Sequence, residues 1–132
     1  MAQHNQFGQR GEEIACRYLT HQDYHLLDRN WRAGHFEIDI IADYYGELVF
    51  IEVKARSREG VHTAVEAVDE VKKRNLVAAA QAYISSRHLD MPYRFDIITV
   101  IGTAEPYDVT HYVNAYTAQQ VISRHRVARY HS

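Results

Sequence analysis

The sequence predicts an α/β fold with its elements in the order α-β-β-β-α-β. Three observations carry that reading. An amphipathic run around Ile14, Tyr18 and Leu19 opens the chain. Three short runs rich in β-branched and aromatic residues follow, separated by turn signals. A second, longer apolar stripe then leads to Arg94–Ile101, a strongly β-branched segment.

Taken in order, residues 1–7 are a polar lead-in expected to fray, and the first helix runs from Gly8 to about His21. Leu26–Arg32 reads as the first strand, and Ala33-Gly34-His35 as a tight turn into the second, Phe36–Ala42. Tyr44-Tyr45-Gly46 turns the chain into the third, Glu47–Ala55, so the three strands form a meander. After a polar loop from Ser57 to His62, Thr63 and Glu66 stand three apart as a capping box. The helix they open reaches about Ser86, with a stripe of Val65, Val68, Val71, Leu76, Ala79, Ala80 and Tyr83. Pro92 closes the next loop before Arg94–Ile101, and Tyr107–Val113 reads as a last edge strand. From Ala115 the tail has helical spacing through Val121 and Ile122, with a thin apolar face. There is no internal repeat, low-complexity tract or linker.

At 132 residues the chain reads as one domain, 1–132, with a core over about 7–112 and a C-terminal extension over 113–132. A hydrophobic content of 46% with ten tyrosines argues against disorder. No apolar run is long enough to cross a bilayer and the N-terminus lacks a signal-peptide pattern, so no membrane partner is expected. The lone Cys16 can form no internal disulfide, which suits a reducing cytoplasm, and is expected to pack beside Ile14 and Leu19. A net charge of −2 argues against a protein that coats DNA nonspecifically. Its bases are nonetheless grouped: Lys54, Arg56 and Arg58; Lys72, Lys73 and Arg74; Arg124, Arg126 and Arg129. Each group reads equally well as solvated surface.

Two runs are chemically distinctive, Glu37-Ile38-Asp39 and Glu52-Val53-Lys54. Successive strand side chains point to opposite faces, so Glu37 shares a face with Asp39, and Glu52 with Lys54. Ile38, Ile40, Val49, Ile51 and Val53 are expected to pack behind them. Burying charge is costly unless it is paired or binds an ion. Clustered carboxylates are the ligands that magnesium and calcium prefer, and an adjacent amine suits a reaction that develops negative charge. The alternative is an internal salt bridge between Lys54 and a neighbouring acid on a solvated sheet face.

An acid followed 13 positions later by an acid-any-Lys triplet on the next strand resembles the PD-(D/E)xK nucleases. The ordered series is narrower: Gly8-Gln9-Arg10-Gly11-Glu12, Asn30-Trp31-Arg32, the run from Val49 to Arg56, Val68 with Lys72 and Arg74, and Arg94-Phe95-Asp96. Over residues 7–112 this series resembles the uncharacterised YraN-like family, a small relative of Holliday-junction resolvases. One departure is Phe36, where the family usually has glycine. The resemblance implies a restriction-endonuclease-like core with a mixed sheet flanked by helices. It implies Asp39, Glu52 and Lys54 as catalytic residues, with Asp39, Glu52, the Val53 carbonyl and Glu12 around Mg²⁺ or Mn²⁺. Glu37 is expected to support the ligands from behind, and Arg10, Arg32, Arg56 and Lys72 to contact nucleic-acid phosphates. Asp96 is expected to be a structural partner of Arg94, and Trp31 to sit in the core or at its rim. The nine histidines show no metal-ligand spacing and read as scattered surface residues.

The expected function is therefore a metal-dependent endonuclease acting on DNA, plausibly branched or distorted, with a homodimer formed through Tyr107, Tyr112 and Tyr116. The alternatives are a nucleic-acid-binding module with this fold and little turnover, and a protein-interaction domain, which leaves the acids unexplained.

Overall fold

The computed structural model of the protein describes residues 2–58 and 70–122, with side chains from residue 7 onward. Helix α1 spans Ala2–His21, β1 His25–Ala33, β2 Phe36–Tyr44, β3 Glu47–Arg56, α2 Glu70–Ser86, β4 Tyr93–Ile101 and β5 Asp108–Tyr116. The expected order holds, with β5 as the added edge strand. Helix α1 begins at Ala2 rather than Gly8, because the lead-in holds alanine and glutamine and no proline to stop a helix. Strand β5 absorbs the first residues of the expected extension, and the chain turns helical again only at 118–122. Thr117 and Gln120 cap that turn reciprocally, each side chain accepting the other's backbone N–H at 3.1 and 3.0 Å. Thr63, Glu66, Val65, Val68, Arg124, Arg126 and Arg129 lie outside the described residues.

Both helices stop in the same way. Asp23 (φ 70°) and His88 (φ 52°) take left-handed backbone. The N–H groups of Tyr24 and Leu89 then reach back to Leu19 and Ile84 at 2.9 and 3.1 Å, closing the last carbonyls.

The sheet order is β1-β2-β3-β4-β5. All neighbours run antiparallel except β3 and β4, which are parallel. A parallel pair needs a crossover, and α2 lies on that connection. The sheet is consequently mixed, with a core on each face. On one side α2 lays Leu76, Val77, Ala80 and Tyr83 on Ile38, Ile41, Phe50 and Phe95. On the other, Ile14, Ala15, Cys16 and Leu19 of α1 cover Ile40, Val49, Ile51 and Ile98. Cys16 is buried where expected, and Trp31 sits against the α2-side core with its ring edge-on to Tyr83 at 5.2 Å.

Two expectations about faces are corrected. Ile38 and Ile40 do not pack on one face: Ile38 belongs to the α2 side and Ile40 to the α1 side. Alternation breaks at Asp39, opposite Asn30, whose φ of 52° kinks β1. Nor are all histidines superficial. The His111 side chain, 6% exposed, is held on β5 between the Tyr18 hydroxyl (3.0 Å) and Asp96 (2.7 Å). The tyrosine surface is also smaller than expected, since Tyr116 is buried and stacked on Phe95 at 5.2 Å. Tyr107 is half-buried, which leaves Tyr112 with Val113 exposed on the edge of β5.

Candidate functional site

The backbone opens a gap where the acids lie. Strands β2 and β3 pair from Tyr44–Glu47 as far as Ile40–Ile51 and then part, while β3 stays paired with β4 up to Arg56–Ile101. The parting frees the N–H of Val53, and a carboxylate takes it: Asp39 Oδ2 accepts it at 2.8 Å. Val53 thus enters the site through its N–H. Glu52, the next acid, is 4% exposed and turns to the α2 side. Its Oε1 accepts from Lys54 Nζ at 3.1 Å and from Lys72 Nζ at 2.8 Å. Asp39, Glu52, Glu37 and Lys72 line one cavity of about 370 Å³, completed by His35, Phe36, Val71, Asn75 and Leu76. Phe36, at the position where glycine was expected, forms part of its wall and packs on the α2-side core.

The electrostatics follow from this burial. Desolvation pushes the Asp39 carboxyl up to about 8, and the Glu52 charge adds to it, against the pull of the Val53 N–H. Burial and the nearby like charge thus both favour the neutral form of Asp39. Burial lowers the Lys54 ammonium, Glu52 opposes that, and Lys72 adds to it. Lys72 is raised: burial works against its charge and Glu52 outweighs burial.

Glu12 comes from the other face. Gly11 makes its position, because a Cβ there would stand 2.8 Å from the Cβ of Ala55, so only glycine lets α1 approach β3 so closely. Gly8 has open space around it and does not share that role. Burial raises the Glu12 carboxyl, Asn30 and Arg29 resist, and Glu37 and Glu52 add to the rise. Its ion-pair partner is Arg29 at 3.8 Å. Among the described residues no three His, Cys, Asp or Glu side chains converge as a metal cage. Two carboxylates with open positions nevertheless fit magnesium or manganese, which keep several waters and accept oxygens from a bound phosphate. Such a cation would relieve the repulsion that the Glu52 charge exerts on Asp39.

The remaining expected residues divide. Glu37 is bound by Arg32 Nε at 2.9 Å at the cavity rim. Arg56 Nη1 donates to the carbonyl of Ala55 at 2.8 Å, next to the triplet. Arg10 is exposed and drawn to the Tyr107 hydroxyl without closing a well-formed hydrogen bond, away from the acidic cavity. Arg58 binds Asp108 across the β4–β5 connection. Asp96 is structural: it is fully buried, held by Arg94 Nε at 3.0 Å, His111 at 2.7 Å and the Asn114 N–H at 2.9 Å. Asn30, Asn75 and His35 were not singled out by the sequence for the site. The signal for Asn30 was its amide side chain, which tolerates left-handed backbone. The salt bridge of the alternative reading is present, but on a buried face under α2 and not a solvated one.

The sequence model of the uncharacterised protein family UPF0102 matches residues 11–100, a span that includes Glu12, Asp39, Glu52, Lys54 and Lys72. The chain belongs to this family. It is 41% identical to a UPF0102 protein of Phocaeicola vulgatus over 116 residues, 88% of this chain and 96% of the relative. It is 46% identical to one from Bacteroides fragilis over the same shares of the two chains. A UPF0102 protein of Oleidesulfovibrio alaskensis is 46% identical over 98 residues, 74% of this chain and 48% of the relative. UPF0102 is the YraN-like family that the motifs resemble. Among the described residues of this UPF0102 chain, no helix is long and apolar enough to cross a membrane.

Proposed function

We propose that this UPF0102 protein is a cytoplasmic, metal-dependent endonuclease of the PD-(D/E)xK superfamily, cleaving phosphodiester bonds in DNA, with branched or distorted DNA as the preferred substrate. The observation that carries the reading is half-buried Asp39 with buried Glu52 at the gap between β2 and β3, and Lys54 on Glu52 at 3.1 Å. A salt bridge alone has no need of a second, mutually repelling carboxylate.

Asp39 and Glu52 are the oxygen ligands for Mg²⁺ or Mn²⁺, with the Val53 carbonyl and Glu12 completing the set directly or through water. A bound divalent cation would supply a nucleophilic water near neutral pH and a sink for phosphate charge. Lys54, poised on the ligand itself, stabilises the negative charge that grows on the phosphate oxygens. Glu37 lines the cavity in an ion pair with Arg32, and Arg32, Arg56 and Lys72 are the proposed contacts to backbone phosphates. Arg10 is the weakest phosphate contact, since it faces Tyr107.

The second reading, a binding module with little turnover, draws on Glu52 already being held by two lysines. Incubating the protein with labelled hairpin, flap, junction and duplex DNA in Mn²⁺, beside Lys54→Ala, decides between them. Cleavage by wild type that Lys54→Ala loses supports the nuclease. Binding without cleavage on every structure supports the module. Cleavage undiminished in Lys54→Ala removes the central residue of the proposal.

A further inference from the structure

Glu52 Oε1 is held by two ammonium groups that differ in freedom. Lys54 is 11% exposed and rises from the same strand two residues on, so the packed sheet fixes it. Lys72 is 44% exposed and comes from α2, which lines the cavity with Val71, Asn75 and Leu76. A divalent cation at Asp39 and Glu52 would compete with both ammonium groups for the Glu52 carboxylate. One cation has to give way. Lys54 is held on the packed sheet with its side chain 11% exposed, and Lys72 is the group whose long stem reaches water without crossing the core.

We propose that Lys72 is an exchangeable counter-ion: it occupies Glu52 in the metal-free protein and passes to a substrate phosphate when a divalent cation takes its place. This rests on the nuclease reading above and adds a coupling to it. Lys72 and the acids line the same cavity, so an ammonium leaving Glu52 remains at its mouth, where a phosphodiester bound to the cation would lie. Removing Lys72 from Glu52 is a cost that cation and nucleic acid share: either partner lowers it for the other, so their binding is mutually reinforcing. The motif lysine is thereby left to the reaction, and the helix lysine becomes the sensor that both are present.

The test is calorimetric titration of Mn²⁺ into wild type, Lys72→Met, Lys73→Met and Asp39→Asn, with and without a non-cleavable phosphorothioate oligonucleotide. Lys73 is one position along α2 and pairs with Glu70 at 3.6 Å, so its variant removes the same charge without touching Glu52. Without oligonucleotide, Lys72→Met is expected to bind Mn²⁺ about five-fold tighter or better, the scale of losing one partly exposed ion pair. Lys73→Met is expected to stay near wild type. The oligonucleotide should tighten Mn²⁺ binding in wild type and clearly less in Lys72→Met. Equal Mn²⁺ affinities in wild type and Lys72→Met, or an equal gain in Lys73→Met, overturn the exchange and leave the nuclease reading intact. Mn²⁺ binding that is missing in wild type, or unchanged in Asp39→Asn, overturns both.

Discussion

At Asp39 a single carboxylate makes burial measurable. Its folded pKa, about 8, lies far above that of a carboxylate in an unfolded chain, about 3.9. Between those values the folded protein binds a proton that the unfolded chain does not, so stability falls as pH rises through the window and levels off above it. Without divalent cation, the melting temperature of wild type is therefore expected to drop from pH 5 to pH 8. Asp39→Asn, which keeps the shape without the charge, should lose that component of the slope. A wild-type slope that the variant retains in full would place its origin elsewhere. Asp96 has the opposite sign. Burial works against its charge, yet His111, Arg94 and the Asn114 N–H outweigh burial and hold its pKa below the usual range. Its contribution is present above about pH 4 and is lost as pH falls through the depressed value. Asp96→Asn leaves Arg94 without its carboxylate, and a loss of about 3–5 kcal/mol in urea unfolding at pH 7 is expected. A loss no larger than that of a surface substitution would show that Glu47, on Arg94 at 2.7 Å, suffices alone.

Among the elements, the contact of α1 with β3 depends on one missing methyl group. The Cβ of an alanine at position 11 would stand 2.8 Å from that of Ala55, and both atoms belong to short, stiff side chains. Gly11→Ala is expected to cost about 1–3 kcal/mol by overpacking. Adding Ala55→Gly should recover part of it, because the clash is between those two atoms; no coupling in the double-mutant cycle would mean that the helix shifts freely. The extent of β1 to β4 was legible in the sequence to within about two residues, because short β-rich runs bounded by turn residues leave few choices, whereas β5 runs on past the expected Val113 to Tyr116. The regularity of the strands was not. The break at Asp39 arises from a left-handed Asn30 on the neighbouring strand, and pairing between strands is invisible in a one-dimensional pattern. The acids and Lys54 were readable from their spacing. The Lys72–Glu52 contact was not, because only the crossover sets α2 over the third strand. His111 was missed for a related reason: it gains its partners from β4 and α1, far along the chain.

For the whole molecule, one acidic site to a chain can cut one strand, and symmetric cleavage of a branched duplex needs two sites related by a two-fold axis. Among the described residues the sheet has two open edges. Strand β1 protects its own with a register shift between Leu26 and Asp28 and with Arg29 and Arg32 along its length. Strand β5 is less guarded: Tyr112 and Val113 are 39% and 56% exposed, and among the described residues no strand lies on its outer side. Our reading of a homodimer is accordingly narrowed to antiparallel pairing of β5 with its copy, with Tyr116 and Tyr107 turned inward as part of each subunit. Light scattering over micromolar concentrations, with and without junction DNA, is expected to reach twice the monomer mass. Val113→Lys, which puts a charge on the pairing edge and leaves the acidic site untouched, should weaken association about ten-fold or more. If dimers persist in that variant, the contact lies on another surface. A monomer under every condition leaves single-strand nicking or end-processing as the activity this site can perform.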